Sequence, residues 1–197
     1  NMEIWLATGN KGKVTEIKNL LQDLEAEVHT QSELSVFTAP EENGTTFEEN
    51  ARKKAKSLKV FARDKWVVAD DSGLVCEGIG DLPGIHSARY AGNKATDSEN
   101  TAKLLKMLAL RTKNRKAKFV CHIVALAPDG TEHSFAGELL GEIAMTMTGA
   151  DGFGYDNVFV PITEDNFDKK TLAELGLAYK NKISHRAVAL KKLKELF

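Results

Sequence analysis

Two short apolar runs, Met2 to Ala7 and Trp66 to Ala69, constrain the fold more than any other feature of the chain. Each is too brief for a helix and is stopped by polar residues, Thr8 and Gly9 in one case, Asp70 and Asp71 in the other, so each reads as a buried strand. After the first, Val14, Ile17, Leu20, Leu21 and Leu24 recur at helical spacing, which gives strand, loop, helix. A second helix is predicted to start at Thr45 or Thr46, each followed three residues later by a glutamate, with Phe47, Ala51, Ala55 and Leu58 on one face. A third runs from about Asp97 to Leu110. Phe119 to Ala127 is rich in strand formers, Asp129-Gly130 is a hairpin signal, and Thr131 to Ala144 reads as the return. The last helix starts near Ser184 and should turn Val188, Ala189, the Lys192 stem, Leu193 and Leu196 toward the core. Early alternation followed by an antiparallel hairpin defines a mixed α/β class rather than a purely doubly wound one.

The chain of 197 residues is 42% apolar and 28% charged, enough for one sizeable core, and it has no linker rich in Pro, Gly or Ser, so one domain over residues 1–197 is expected. With 27 basic and 28 acidic residues the formal charge is −1, which argues against a nucleic-acid partner and requires any anion site to be local. Cys76 and Cys121 form no metal or redox spacing and read as reduced core thiols, pointing to a cytoplasmic protein. No apolar run is long enough to span a membrane, and no signal peptide is expected. Asn1 ahead of Met2 reads as an expression remnant.

The loop Thr8-Gly9-Asn10-Lys11-Gly12-Lys13 resembles a phosphate loop, but Ala7 replaces the first glycine and Val14 the metal-binding hydroxyl. It is either an anion site at a helix N-terminus or an ordinary tight turn with solvated lysines. Asp70 and Asp71, at the end of an apolar run, are either a solvated turn or a hard-cation site. In a regular strand they would face opposite ways, so the cation reading predicts a bend at Ser72-Gly73. Glu41 and Glu42 lie on the loop entering the second helix, where Lys54 shares a side with Asn50. Asp151 to Phe159 places Phe153 and Tyr155 among Gly152, Gly154 and Asp156, which makes either an aromatic platform or a glycine-rich turn over the core. Ser184 caps the last helix and leaves His185 and Arg186 in its first turn, where basic charge opposes the helix dipole. His29, His86, His122 and His133 make no ligand spacing and are expected to be surface or packed side chains.

Taken together, "ATGNKGKVTEI", "EENGTTFEENARKKA", "VVADDSGLVCEGIGDLPGIHSARYAG", "GFGYD" and "KISHRAVAL", in this order, resemble the inosine triphosphate pyrophosphatase family over nearly the whole chain. The resemblance implies an elongated, two-lobed mixed α/β fold with a central mixed sheet, flanking helices and a cleft, a homodimer and a magnesium requirement. It implies hydrolysis of ITP, dITP and XTP to the monophosphate and pyrophosphate. Carried over by motif, Thr8, Gly9, Asn10, Lys11, Gly12 and Lys13 meet the phosphates, and Glu42 and Asp71 hold magnesium. Asp71 is the base, with Asp70, Lys13 and Lys54 assisting. Ser72, Phe153, Gly154, Tyr155, Asp156, Lys180, His185 and Arg186 contact the nucleotide, and His185 or Arg186 would read the 6-oxo group. Three departures stand out: His86 where bacterial relatives commonly carry tyrosine, the adjacent pair Glu41-Glu42, and a longer stretch from Thr163 to Lys170. A Maf-like pyrophosphatase acting on pyrimidine or modified-base triphosphates, and a non-catalytic nucleotide-binding module, are the alternatives.

Overall fold

The computed structural model describes residues 2–197; Asn1 lies outside the described residues. The strands are β1 (Met2–Leu6), β2 (Ala26–Thr30), β3 (Trp66–Cys76), β4 (Leu82–Pro83), β5 (Lys116–Leu126), β6 (Glu132–Ile143) and β7 (Phe159–Pro161). The helices are α1 (Lys11–Leu20), α2 (Phe47–Lys59), α3 (Asp97–Arg111), α4 (Leu172–Leu175), α5 (Leu177–Ile183) and α6 (His185–Lys194). The strands hydrogen-bond in the order β2-β1-β3-β5-β6-β7, with β4 on β3. The sheet is mixed: β1 pairs parallel with β2 and β3, whereas β3–β4 and β6–β7 are antiparallel. The architecture is therefore the mixed α/β class expected from the order of elements.

The chain divides into two compact units. The first comprises the segment up to Asp71, Cys121–Gly137 and Arg186–Phe197. Its strands are apolar on both faces, as a sheet covered on both sides requires. On one face Ile4, Leu6 and Val68 pack with Ile17 and Leu21 of α1 and with Ala189, Leu190 and Leu193 of α6. On the other, Ala7, Val67 and Ala69 pack with Ala51, Ala55 and Leu58 of α2. Alternate residues of each strand thus serve opposite helical layers. The α2 start is fixed by Thr46, whose side chain accepts from the Glu49 amide at 3.1 Å, while the Glu49 carboxylate accepts from the Thr45 amide at 2.7 Å.

The second unit comprises Ser72–Val120 and Glu138–His185. Its core gathers Leu74, Cys76, Leu104, Leu108, Phe119, Val158, Phe159 and Leu172. Thr96 and Glu99 cap α3 reciprocally, at 3.1 and 2.9 Å.

Two local expectations need correction. β3 runs without interruption through Asp70, Asp71, Ser72 and Gly73. It does so because it continues to pair, with Val75 and Cys76 opposite Pro83 and Leu82. The buried face of α6 also differs: Val188 and Leu196 are exposed, and Leu190 is buried beside Ala189 and Leu193. The face is Arg186, Ala189, Leu190, Leu193, a helical stripe whose first member is charged. Among the described residues no helix is long and apolar enough to cross a membrane.

Cys76 and Cys121 are both fully buried, and burial pushes both thiols up to about 12. The thiolate is the reactive form. An aromatic disulfide reagent at pH 8 is therefore expected to label neither cysteine in the native protein and both after urea unfolding; rapid native labelling would contradict this packing.

Candidate active site

The loop leaving β1 is stitched by its own side chains. Thr8 Oγ1 accepts from the Asn10 amide at 3.1 Å, and Asn10 Oδ1 accepts from the Lys13 amide at 3.1 Å as the cap of α1. Two amides that an anion would otherwise receive are thus committed to Thr8 and Asn10. Lys13 contributes a side-chain charge instead, with Nζ 3.6 Å from Asp70 Oδ2.

The pleat of β3 sends its two acids in opposite directions. Asp70 follows Val68 toward the α1/α6 layer, and Asp71 follows Val67 and Ala69 toward α2. Each finds cations there. Asp70 Oδ2 accepts from Arg186 Nε at 3.2 Å and Nη2 at 3.1 Å, and Arg186 Nη1 donates to Glu16 Oε1. Arg186, Glu16 and Asp70 are each no more than 1% exposed. Burial opposes the Asp70 charge, but Lys13, Arg186 and Lys54 outweigh it and hold its carboxyl well below the usual range. Burial likewise opposes the Arg186 charge, and Asp70 and Glu16 more than restore it.

On the α2 side, Lys54 Nζ lies 3.3 Å from Glu42 Oε1 and 3.8 Å from Asp71 Oδ1. Glu42 also hydrogen-bonds Asp71. Burial, then the neighbouring Glu42 and Asp70 charges, push the Asp71 carboxyl well up despite the two lysines. Burial opposes the Glu42 charge too, but Lys54 and Lys13 leave its carboxyl below the ordinary range. Glu42, the half-buried member of the adjacent pair, faces this cluster, and Glu41 is exposed.

In this cluster four carboxylates (Glu16, Glu42, Asp70, Asp71) meet three cations (Lys13, Lys54, Arg186). Asp70 Oδ1 and Asp71 Oδ2 are buried without a hydrogen-bond partner among the described residues. Uncompensated buried oxygen lone pairs beside an excess of negative charge suit a hard divalent cation. Glu42, Asp70 and Asp71 do not converge as a trio within 4.8 Å. That agrees with magnesium, which takes one or two protein carboxylates and completes its shell from water and phosphate oxygens.

Most of the remaining site residues belong to the second unit. Asp156 Oδ2 accepts from Lys180 Nζ at 2.7 Å and from the Phe153 amide at 3.2 Å, and the Lys180 ammonium sits 4.5 Å above the Phe153 ring. Gly152 and Gly154 adopt φ of 82° and 61°, which the turn requires and side chains resist. The Gly154 amide donates to Asp97 Oδ2 at 2.8 Å. Tyr155 belongs to the core, its hydroxyl donating to the Ser87 carbonyl at 2.6 Å, so of the two aromatics only the half-buried Phe153 offers a platform. His185 is buried and stacked on Phe119, with centroids 4.7 Å apart. Ser72 is half-buried in β3.

Glu16 is the participant that sequence reasoning missed. Its signal was present: it lies next to Ile17 and four before Leu20, a carboxylate inside the apolar stripe of α1. Losing one partner of a buried ion pair typically costs about 3–5 kcal/mol. Arg186→Ala is expected to destabilise the fold by about that amount, read as a lower urea midpoint at constant m-value.

Comparison with known proteins gives a consistent result. The model of the Ham1 family matches residues 4–196. A dITP/XTP pyrophosphatase of Bdellovibrio bacteriovorus is 54% identical over 96% of this chain and 94% of its own length. One from Bacillus subtilis is 42% identical over 98% of this chain and 96% of its own. The Staphylococcus aureus Ham1 protein structure superposes with a TM-score of 0.83 at 41% identity, over 98% of this chain and 97% of that one. A HAM1 protein from Coxiella burnetii gives 0.84 at 39% identity, over 100% and 98%.

Proposed function

The chain belongs to the Ham1 family, and from that premise we propose that it is a nucleoside triphosphate pyrophosphatase. Its substrates are the deaminated purine nucleotides dITP, ITP and XTP, cut to the monophosphate and pyrophosphate, in line with the names of its relatives. The observation that carries this reading is the cluster of Lys13, Lys54, Glu42, Asp70 and Asp71. It joins fixed cations suited to a polyphosphate with carboxylate oxygens suited to magnesium.

Lys13 and Lys54 bind phosphate oxygens and neutralise the charge that develops as pyrophosphate leaves. Glu42 and Asp71 would hold magnesium, which supplies Lewis-acid stabilisation of the phosphates when bound. Asp71 orients the attacking water toward the α-phosphorus and accepts its proton. Asp70 keeps Lys13 in place as a permanent anion, itself fixed by Arg186. Within the second unit, Lys180, held by Asp156 at 2.7 Å and lying over one face of the Phe153 ring, has further N–H donors for a 6-oxo group that adenine lacks, and Phe153 would stack through its other face. A donor facing the adenine amino group would cost about 1–3 kcal/mol. Arg186 acts here as a positioning residue, since its guanidinium is engaged by Asp70 and Glu16.

A panel of dITP, XTP, ITP, ATP and dUTP with magnesium, assayed separately for pyrophosphate and orthophosphate, tests bond and base choice together. Pyrophosphate from dITP and XTP in large excess over ATP and dUTP is expected; orthophosphate, or a pyrimidine preference, would overturn the proposal. Asp71→Asn is expected to lower turnover by roughly 10² or more while the circular dichroism spectrum is retained. In folded Arg186→Lys protein the ratio of ITP to ATP turnover should stay constant even as kcat falls. In Lys180→Met the same ratio should narrow.

A further inference from the structure

A second cluster of metal-ligating side chains lies at the other end of β1. Glu3 and Glu27 are register partners in the parallel β1–β2 pair, and Trp5 and His29 are the partners two residues on. The period of two puts all four side chains on one face. There, His29 Nε2 lies 3.4 Å from Glu3 Oε1 and 3.4 Å from Glu27 Oε2. The ligand atoms of Glu3, Glu27 and His29 all lie within 4.8 Å of one another.

Glu33 foremost, with Glu27 and Glu3 and against burial, favours the protonated His29 ring, so a proton and a metal ion compete for Nε2, and the spacings fit the metal. N–H···O bonds are usually about 2.7–3.2 Å long, so both Nε2 contacts are stretched. By contrast, donors about 2.0–2.2 Å from a tetrahedral zinc ion are separated by about 3.4 Å. The other ring nitrogen is engaged as a ligating histidine requires, with Nδ1 2.9 Å from Glu33 Oε1. With an ion bound, Glu33 on Nδ1–H would hold the tautomer whose Nε2 lone pair faces Glu3 and Glu27, as around protein-bound zinc. Trp5 stacks on the imidazole at 4.7 Å and 19°, fixing its plane. Lys65 Nζ pairs at 2.7 Å with Glu3 Oε2, which leaves Oε1 on the histidine side. Sequence spacing could not reveal the group, because strand pairing assembles it.

We propose that Glu3, Glu27 and His29 form a site for a zinc-like divalent transition-metal ion, with water as fourth ligand and Glu33 as the carboxylate that orients the ring. An imidazole ligand favours zinc over magnesium. β2 is the edge of the sheet, so an ion here ties the edge strand to β1. The site is independent of the carboxylates assigned to catalysis, and its function is to brace the first unit.

Chelator-treated full-length protein at pH 7.5, in excess magnesium to occupy the hard-cation site, is titrated with zinc chloride by calorimetry and followed by thermal unfolding. One zinc per chain is expected, with Tm rising by roughly 5–10 °C at a zinc concentration about a hundred times Kd. His29→Gln should weaken binding at least tenfold and abolish the Tm shift while leaving ITP turnover in magnesium unchanged. Glu33→Gln should weaken binding about 10–100-fold without altering stoichiometry. Cobalt should report the same site by a visible absorption band of tetrahedral intensity that His29→Gln removes. No binding below about 1 mM zinc, or zinc affinity unchanged in His29→Gln protein of native circular dichroism, would overturn the proposal.

Discussion

The guanidinium of Arg186 is the contact on which the candidate site depends. It is buried against Asp70 and Glu16, and it draws together the start of α6, the first turns of α1 and the middle of β3. Bringing such a group out of water is costly, and it is tolerated only because carboxylates receive its donors in good geometry. The arrangement therefore contributes position more than stability. Asp70 is held as an anion at a fixed place, and Lys13, 3.6 Å away, is held with it. A charge fixed before the substrate arrives needs no reorganisation as the reaction proceeds.

That anchoring accompanies a loop that resembles a phosphate loop but lacks the usual glycine and hydroxyl. Ala7 is fully buried against α2, a role in packing that glycine could not fill. Val14 stands where a hydroxyl would ligate a metal, and under the proposed function the carboxylates of Glu42 and Asp71 would supply oxygen ligands in its stead. Capping by Asn10 and Thr8 sets the loop, so its shape does not rest on glycine flexibility alone. Under the proposed function, the loop and the acidic pair would divide between them what a single motif does in other nucleotide-binding folds.

Much of this was legible in the sequence, and the losses have a common cause. Strand and helix order, the Thr46 cap and the turn at Gly130 all follow from local patterns of apolar and capping residues. The inward face of α6 did not, because its stripe begins with Arg186, and a reading that seeks apolar residues rotates the helix toward Val188 and Leu196. Glu16 was hidden in the same way on α1. A charge inside an apolar stripe looks like noise on one helix; two such charges of opposite sign on two helices are a buried pair. Tyr155 was open for a different reason: a glycine-flanked aromatic carries no mark of whether a core lies beneath it, so platform and core turn stood as alternatives, and its side chain packs in the core. The Glu3, Glu27 and His29 group was invisible because register, not spacing, creates it.

The adjacent acids of β3 show how one element of geometry assigns roles. A bend would have aimed Asp70 and Asp71 at one ligand, with both interchangeable. The straight strand separates them by the pleat alone. Asp70 enters a layer where Arg186 and Lys13 keep it ionised, and it is spent on positioning. Asp71 enters the layer of α2, where Lys54 is shared with Glu42 and, despite Lys13 as well, burial leaves the carboxyl costly to ionise. Asp70 also keeps one buried oxygen without a hydrogen-bond partner among the described residues, but its charge is balanced by cations, so Asp71 has the greater need of a cation or a proton. The proposed division of labour between a structural acid and a reactive one would thus follow from a repeat of two residues, and exchanging their faces by inserting one residue before Asp70 would exchange their chemistry.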